Sequence, residues 1–461
     1  MANNDPFQEY LDIIQGASHS KNQGGIPVSW IPEKAFPHQK YVIERSIEKG
    51  RYACFLDTGM GKTLIELTIA YNYAKHTNKP VLILTPLSVA FQFLKEAEFF
   101  GIDDISYSKK GEIKTKIVVA NYERLHYFNP DDFCCVICDE SSCLKNSEGV
   151  TSADVDIFVK KVKYRFLATA TPSPNDFIEL GMSSQVLGYL GYTDMLTKFF
   201  TNNEDTIKPQ NIGTEWRLKG HAEDAFFKWV SSWSISMRKP SDLGFSDVGY
   251  DLPNLIENNH WVKNQKPLVI NGQHQLFNIV AKTNSEIQAE RKATIEDRCI
   301  KAVELSSKHD VSVYWCNLDK EAEYLRKNDK SAFELKGKMS IEQKEEIILA
   351  FVKGEIKKLI TKPRITAFGL NWQHCGHSCV FPTFSHEQYY QLVRRFYRFG
   401  RKDDVMIDRV FSDGQIRILQ ALDAKSKKSD DLFTKLNQFT NQRFDINVKP
   451  FDKTIQLPNF L

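Results

Sequence analysis

The seven residues Asp57-Thr58-Gly59-Met60-Gly61-Lys62-Thr63 have the composition of a phosphate-gripping loop. They follow a strand-like run at 52–56 and open an amphipathic stretch with Leu64, Leu67, Tyr71 and Ala74 on one stripe. In such a loop Gly59 and Gly61 let backbone N–H groups curl round polyphosphate oxygens, and the following helix N-terminus adds partial positive charge. Lys62 is placed to reach the β- and γ-phosphates, and the Thr63 hydroxyl to coordinate Mg²⁺. The pattern lacks its usual first glycine, so its strength comes from the strand–loop–helix setting.

Two further groups suit the same chemistry. Asp139-Glu140 ends the apolar run 134–138, where Asp139 can hold a metal ion and Glu140 can polarise an attacking water. Thr169-Ala170-Thr171-Pro172 follows another strand-like run and offers two hydroxyls to the acidic pair. Far along the chain, Gln391, Arg395 and Arg398 fall at i, i+4 and i+7 of an expected helix and share a face. Tyr389, Leu392, Val393 and Phe396 form its apolar side, and Ser385 and Gln388 have capping-box spacing at its start. Guanidinium groups are planar, charged and multidentate, which suits them to a phosphoryl-transfer transition state. A basic surface helix accounts equally well for Arg394 and Arg401.

The elements that must position these residues alternate. Strand-like runs at 52–56, 81–85, 116–120, 134–138 and 165–169 are separated by helical patterns, and the rhythm returns at 312–316, 358–361, 379–382 and 406–411. It predicts an α/β protein with parallel sheets covered by helices and functional loops at the strands' C-terminal ends. Between the halves, 196–294 mixes tryptophans and basic residues with turn formers and reads as a mostly helical insertion plus connector. A helix is expected at 7–15. A chain of 461 residues accommodates two or three domains. The net charge of +3 confines any nucleic-acid surface to a local patch. No signal peptide, membrane-length apolar span or lipidation motif is evident, which points to the cytoplasm. Of nine cysteines, Cys134, Cys135 and Cys138 lie in an expected buried strand, and a core role is the simpler reading for Cys375 and Cys379 as well, although His374 and His377 stand close by.

Taken in order, these residues resemble the superfamily 2 helicase-like ATPases, specifically the Swi/Snf-type DNA translocases in their compact bacterial and bacteriophage form. Phe36-Pro37-His38-Gln39 resembles the glutamine element, and 57–63 resembles motif I. Motif Ia is matched by 85–89, the N-Y-E element by 120–125, motif II by Asp139-Glu140-Ser141-Ser142 with Lys145-Asn146, and motif III by 167–172. Positions 319–325 and 369–371 stand where motifs IV and V fall, and 391–400 fits the Q-x-x-x-R-x-x-R-x-G of motif VI. Ser141-Ser142 departs from the common Ala-His, and Arg401 replaces a glutamine.

The resemblance implies two RecA-like lobes, at 35–195 and 295–425, with the insertion between them, an N-terminal extension at 1–34 and a tail at 426–461. It implies that ATP is held by Gln39, Thr58, Gly59, Gly61, Lys62, Thr63, Asp139 and Gln391, with Mg²⁺ on Thr63 and Asp139. Glu140, Arg395, Arg398 and Lys62 are the expected catalytic residues. The implied partner is DNA, double-stranded and bound without sequence preference. A strand-separating or branch-migrating helicase, and a low-turnover ATP-gated clamp, are the alternatives.

Overall fold

The structure is a computed structural model that describes residues 24–86, 89–147, 149–202, 216–250, 252–263, 269–270, 273–274, 284–366 and 372–440. The helix expected at 7–15 and the motif V positions 369–371 lie outside the described residues.

Short apolar runs build the first sheet. Its strands are β1 (Arg51–Leu56), β2 (Val81–Thr85), β3 (Ile105–Tyr107), β4 (Ile117–Asn121), β5 (Cys135–Asp139) and β6 (Tyr164–Thr169). A small antiparallel pair, β7 (Phe200–Asn202) with β8 (Trp216–Leu218), follows before β9 (Ser234–Met237) completes the sheet. The order is β3-β4-β2-β5-β6-β1-β9, with every pairing parallel. β2, β4, β5 and β6 are buried at every position, as both faces of a helix-covered parallel sheet require.

The second sheet contains β10 (Leu255–Val262), which precedes a second small pair, β11 (Val269–Ile270) with β12 (Gln273–His274). It continues with β13 (Ser312–Trp315), β14 (Ala332–Glu334), β15 (Lys358–Thr361), β16 (His377–Val380) and β17 (Val405–Ser412). Its order, β10-β17-β16-β13-β15-β14, is again parallel throughout. Two parallel sheets flanked by helices are the two expected RecA-like lobes.

The helices that bear on the site are α1 (Pro37–Lys49), α2 (Lys62–Thr77), α3 (Ala90–Phe100), α4 (Glu223–Trp233), α5 (Ile295–Ser306), α6 (His386–Val393) and α7 (Ile416–Thr440). The stretch between the lobes is shared by them: it gives β9 to the first sheet and β10 to the second. Its aromatic residues pack inward, with Phe226, Phe227, Val230 and Trp233 in the core of lobe one. Trp233 is thus a core residue and Trp216 and Trp229 pack against that core, whereas Trp261 is exposed. α7 runs from one lobe to the other. Ile418 and Leu422 pack beside Phe411 of lobe two, whereas Leu432, Phe433, Leu436 and Phe439 enter the core of lobe one.

Candidate active site at the cleft between the lobes

The phosphate-type loop joins β1 to α2. Gly59 and Gly61 have φ of 89° and 83°, a left-handed backbone that glycine adopts without a Cβ clash. Space adds a second constraint, because a Cβ on Gly59 would lie 2.9 Å from the Cβ of Phe399, which comes from lobe two. Lys62 is the first residue of α2, and its ammonium donates to the carbonyl of Leu56 at 3.0 Å, so it lies folded over the mouth of its own loop. Thr63 follows, half-buried, in the first turn. Thr58 donates its N–H to Asp57 Oδ1 at 2.6 Å. Gln39, in the first turn of α1, accepts from Phe36 N–H through Oε1 and donates to the Met60 carbonyl through Nε2. Its amide therefore rests against the loop.

β6 separates β1 from β5 in the sheet, so the loop and the acidic pair open on the same strand ends. Asp139 is the last residue of β5, with Oδ2 accepting from Thr85 Oγ1 at 2.9 Å. Asn121 donates to the Thr85 carbonyl and the Tyr122 hydroxyl to the Asp139 carbonyl, so the N-Y-E element ties motifs Ia and II together. Glu140 has φ 49° and ψ 48°, an outlier for a non-glycine residue and typical of strain held at a functional position. Its Oε2 lies 3.5 Å from Thr169 Oγ1, which also accepts from Thr171 N–H. Of the two hydroxyls expected to serve the acidic pair, Thr169 makes this link from motif III to motif II, whereas the Thr171 hydroxyl does not.

Burial raises the carboxyls of both Asp139 and Glu140 above the usual carboxylate range; Glu140 pushes Asp139 further up, while Lys62 pulls both down. Glu66, one turn into α2, is a third carboxyl in this field. It is buried, neither oxygen makes a hydrogen bond among the described residues, and burial with Asp139 pushes it well up. A buried, unpaired acid is costly unless it is neutral or receives a cation. The hydroxyls of Ser141, Ser142 and Thr171 are likewise buried without partners among the described residues. A clustered acid set, orphaned hydroxyls and a two-glycine cradle fit a magnesium–nucleotide complex.

Lobe two supplies the facing wall. The Ser385 hydroxyl caps α6 by accepting from Gln388 N–H at 3.3 Å, as the spacing predicts. The helix then ends sooner than expected. α6 stops at Val393, and residues 394–400 continue as turns, held by Arg394 N–H to Tyr390 and Tyr397 N–H to Val393. Gln391 is thus on the helix, while Arg395 and Arg398 lie beyond it. Arg395 is 3 % exposed, and its charge favours the ionised form of Glu140. Burial lowers the Arg395 pKa, Arg398 lowers it further, and Glu140 opposes both. Arg398 is lowered by burial and supported by Glu96 of α3. Gln391 Nε2 is buried and makes no hydrogen bond among the described residues. The charges of Lys62 and Arg395 thus both favour the ionised form of Glu140, that of Lys62 also favours ionised Asp139, and Glu96 favours the charged form of Arg398.

Sequence reasoning gave Tyr390 no role, placed Asp57 only in the phosphate loop and read Arg394 as part of a basic surface helix; the structure instead turns Arg394 inward against lobe one. Arg394 Nη2 pairs with Asp57 Oδ2 at 2.6 Å, and the Tyr390 hydroxyl donates to Oδ1 of the same carboxylate. Lys145, from the segment after motif II, pairs with Glu387 of α6. Beside the loop a cleft of about 380 Å³ opens, lined by Thr58, Met60, Lys239, Tyr250, Arg394 and Phe399 among others. Tyr250 and Phe399 pack there with centroids 4.5 Å apart and planes tilted by 32°, and Phe36 meets both edge-on. The cysteine–histidine segment stands apart. His377 bonds Ser312 and Asp408, Cys375 donates to the His377 carbonyl, and His374 packs on Phe351.

Two family models match the chain. Residues 33–174 match the type III restriction enzyme res subunit, and residues 294–400 the helicase conserved C-terminal domain. Among curated proteins, the chain is 29% identical over 157 residues to the ATP-dependent DNA helicase MPH1 of Saccharomyces cerevisiae, covering 30% of this chain and 16% of that protein. It is 30% identical over 172 residues to the DNA annealing helicase and endonuclease ZRANB3 of Bos taurus, covering 33% of this chain and 16% of the relative. The matched region is thus a small part of each relative's length. A solved Sulfolobus solfataricus SWI2/SNF2 ATPase core in complex with dsDNA aligns with 90% of this chain and 96% of its own, at a TM-score of 0.40 and 18% identity. Among the described residues, no helix is long and apolar enough to cross a membrane.

Proposed function

We propose that this chain, which belongs to the superfamily 2 helicase-like ATPases of Swi/Snf type, is a DNA-stimulated motor that hydrolyses ATP between its lobes and moves along duplex DNA. The observation that carries the reading is that the phosphate-type loop and the Asp139–Glu140 pair open on the same strand ends of lobe one and are faced by the arginine-bearing segment of lobe two, tied there by the Arg394–Asp57 pair.

Lys62 and the backbone of 58–61 hold the polyphosphate, and Gln39 and Gln391 border the nucleotide. Thr63 and Asp139 are the residues that would hold Mg²⁺, which when bound neutralises phosphate charge. Glu140 orients the attacking water and takes up its proton as a general base. Arg395 and Arg398 stabilise the charge that develops on the transferred phosphoryl group. Opening and closing of the cleft, driven by binding and release, alternates the grip of the lobes on DNA. Contacts to phosphates make that grip salt-dependent and largely independent of sequence.

The test is steady-state ATP hydrolysis with no nucleic acid, single-stranded DNA, duplex DNA or RNA, using Glu140→Gln as control. Stimulation by duplex DNA is the expected result. Stimulation by single strands alone replaces translocation with strand separation, the activity suggested by the helicase names of the relatives. No stimulated hydrolysis favours a nucleotide-gated clamp.

A further inference from the structure

α6 meets lobe one with a charge pattern that has a matching pattern opposite it. Glu387, Tyr390 and Arg394 fall at i, i+3 and i+7, on one side of the helix and its last turn. Opposite them stand Lys145, next to motif II, and Asp57, which opens the phosphate loop. Lobe one thus presents a cation and then an anion, and α6 presents an anion and then a cation.

The Asp57 carboxylate is the centre of this contact. Its side chain is 5 % exposed, and its Oδ1 also accepts the Thr58 N–H, so one group joins the loop's own backbone to lobe two. The Arg394 guanidinium lies over the rings of Tyr390 and Tyr397, at 5.1 and 5.3 Å from their centroids. Burial alone lowers the basicity of Arg394, yet Asp57 and Tyr390 raise it above its ordinary value. Such a pair is firm when both partners are present, and removal of either strands a buried charge. Slipping or inverting α6 would bring like charges together, so the pattern favours one register and penalises others.

We propose that Asp57, Tyr390 and Arg394, with Lys145 and Glu387 as a second pair, are positioning residues that fix the register of α6 on lobe one. That register also sets where Arg395, which directly follows Arg394 and is buried, sits in the cleft. The inference rests on the reading of this cleft as the site of ATP hydrolysis, but the docking itself is measurable without turnover.

The experiment uses the full chain and reversed charges: Asp57→Arg, Arg394→Asp and the double variant, then Lys145→Glu, Glu387→Lys and their double. Two readouts are taken: kcat and KM for ATP, and amide hydrogen exchange of 386–394 without nucleotide or DNA. Each single reversal is expected to lower kcat about tenfold or more with a smaller change in KM, as misplacement of a catalytic group does. Exchange at 386–394 rises in the singles and returns towards wild type in each double. Because Asp57 belongs to the phosphate loop, the Lys145–Glu387 pair gives an independent arm outside it. Doubles as slow as the worse single, with equal exchange in all variants, overturn the proposal. If no variant, wild type included, hydrolyses ATP, the functional reading fails, and the exchange data alone decide the docking: rescue supports it and unchanged exchange overturns it.

Discussion

On the lobe-one side of the cleft, the phosphate loop follows β1 directly and Asp139 ends β5, two neighbouring strands of β6 in a fully parallel sheet. On the lobe-two side, Arg395 and Arg398 lie in turns past the end of α6, and ion pairs that cross the cleft hold that helix in place. The binding half is built into a rigid sheet, whereas the half that completes the chemistry depends on docking. An enzyme divided in this way keeps its nucleotide grip while its catalytic power depends on the relation between lobes. That separation is what a motor requires, since hydrolysis must answer to lobe movement.

This comparison can be broken from either side. Arg395→Ala should lower kcat by about 10³–10⁵, the range for a transition-state arginine, and a stopped or coupled ATPase assay measures it. Near-normal turnover removes Arg395 from the site. Glu140→Gln keeps the shape but loses the base, and a fall of about 10²–10⁴ is expected in the same assay. Reversal of the Lys145–Glu387 pair, a contact between motif II and α6, has the smaller effect of about tenfold, recovered in the double variant.

A pH series sharpens the lobe-one side. Burial and Glu140 hold the Asp139 carboxyl above the usual range, so its neutral form persists to higher pH than in an exposed aspartate. Mg²⁺ needs the ionised form, so metal binding must displace a proton. The apparent Mg²⁺ affinity in ATP hydrolysis should therefore weaken by a few-fold as pH falls from about 8 to about 6. An affinity flat across that range argues that Asp139 is ionised throughout.

Much of this was legible in the chain because parallel strands buried on both faces spell continuous apolar runs. The runs at 81–85 and 358–361 coincide with β2 and β15, and other boundaries shift by a residue or two. The missed strands lack that signal. β3 and β14 have three residues each, β10 has no buried position along an edge of its sheet, and β9, though buried, is four residues with two serines. α6 was read too long because Phe396 continues its apolar period past Val393, while the backbone turns at Arg394. The residues proposed as catalytic could be singled out because the chemistry they suggest is local: a loop, a strand end, a short arginine pattern. The Asp57–Arg394 contact was not, since its partners stand 337 positions apart and each had a local explanation, Asp57 in the phosphate loop and Arg394 on a basic helix. Glu66 carried a weak signal, a lone acid on an otherwise apolar stretch of α2, whose meaning appears only when Asp139 folds beside it.

The most direct test of the divided site is to measure ATP affinity and turnover side by side in Lys62→Ala and Arg395→Ala. The account predicts that Lys62→Ala loses both, because the loop that grips the phosphates belongs to lobe one. Arg395→Ala should bind ATP within a few-fold of wild type while turnover collapses. An Arg395→Ala protein that loses affinity as severely as Lys62→Ala, or that still turns over ATP at the wild-type rate, would contradict it.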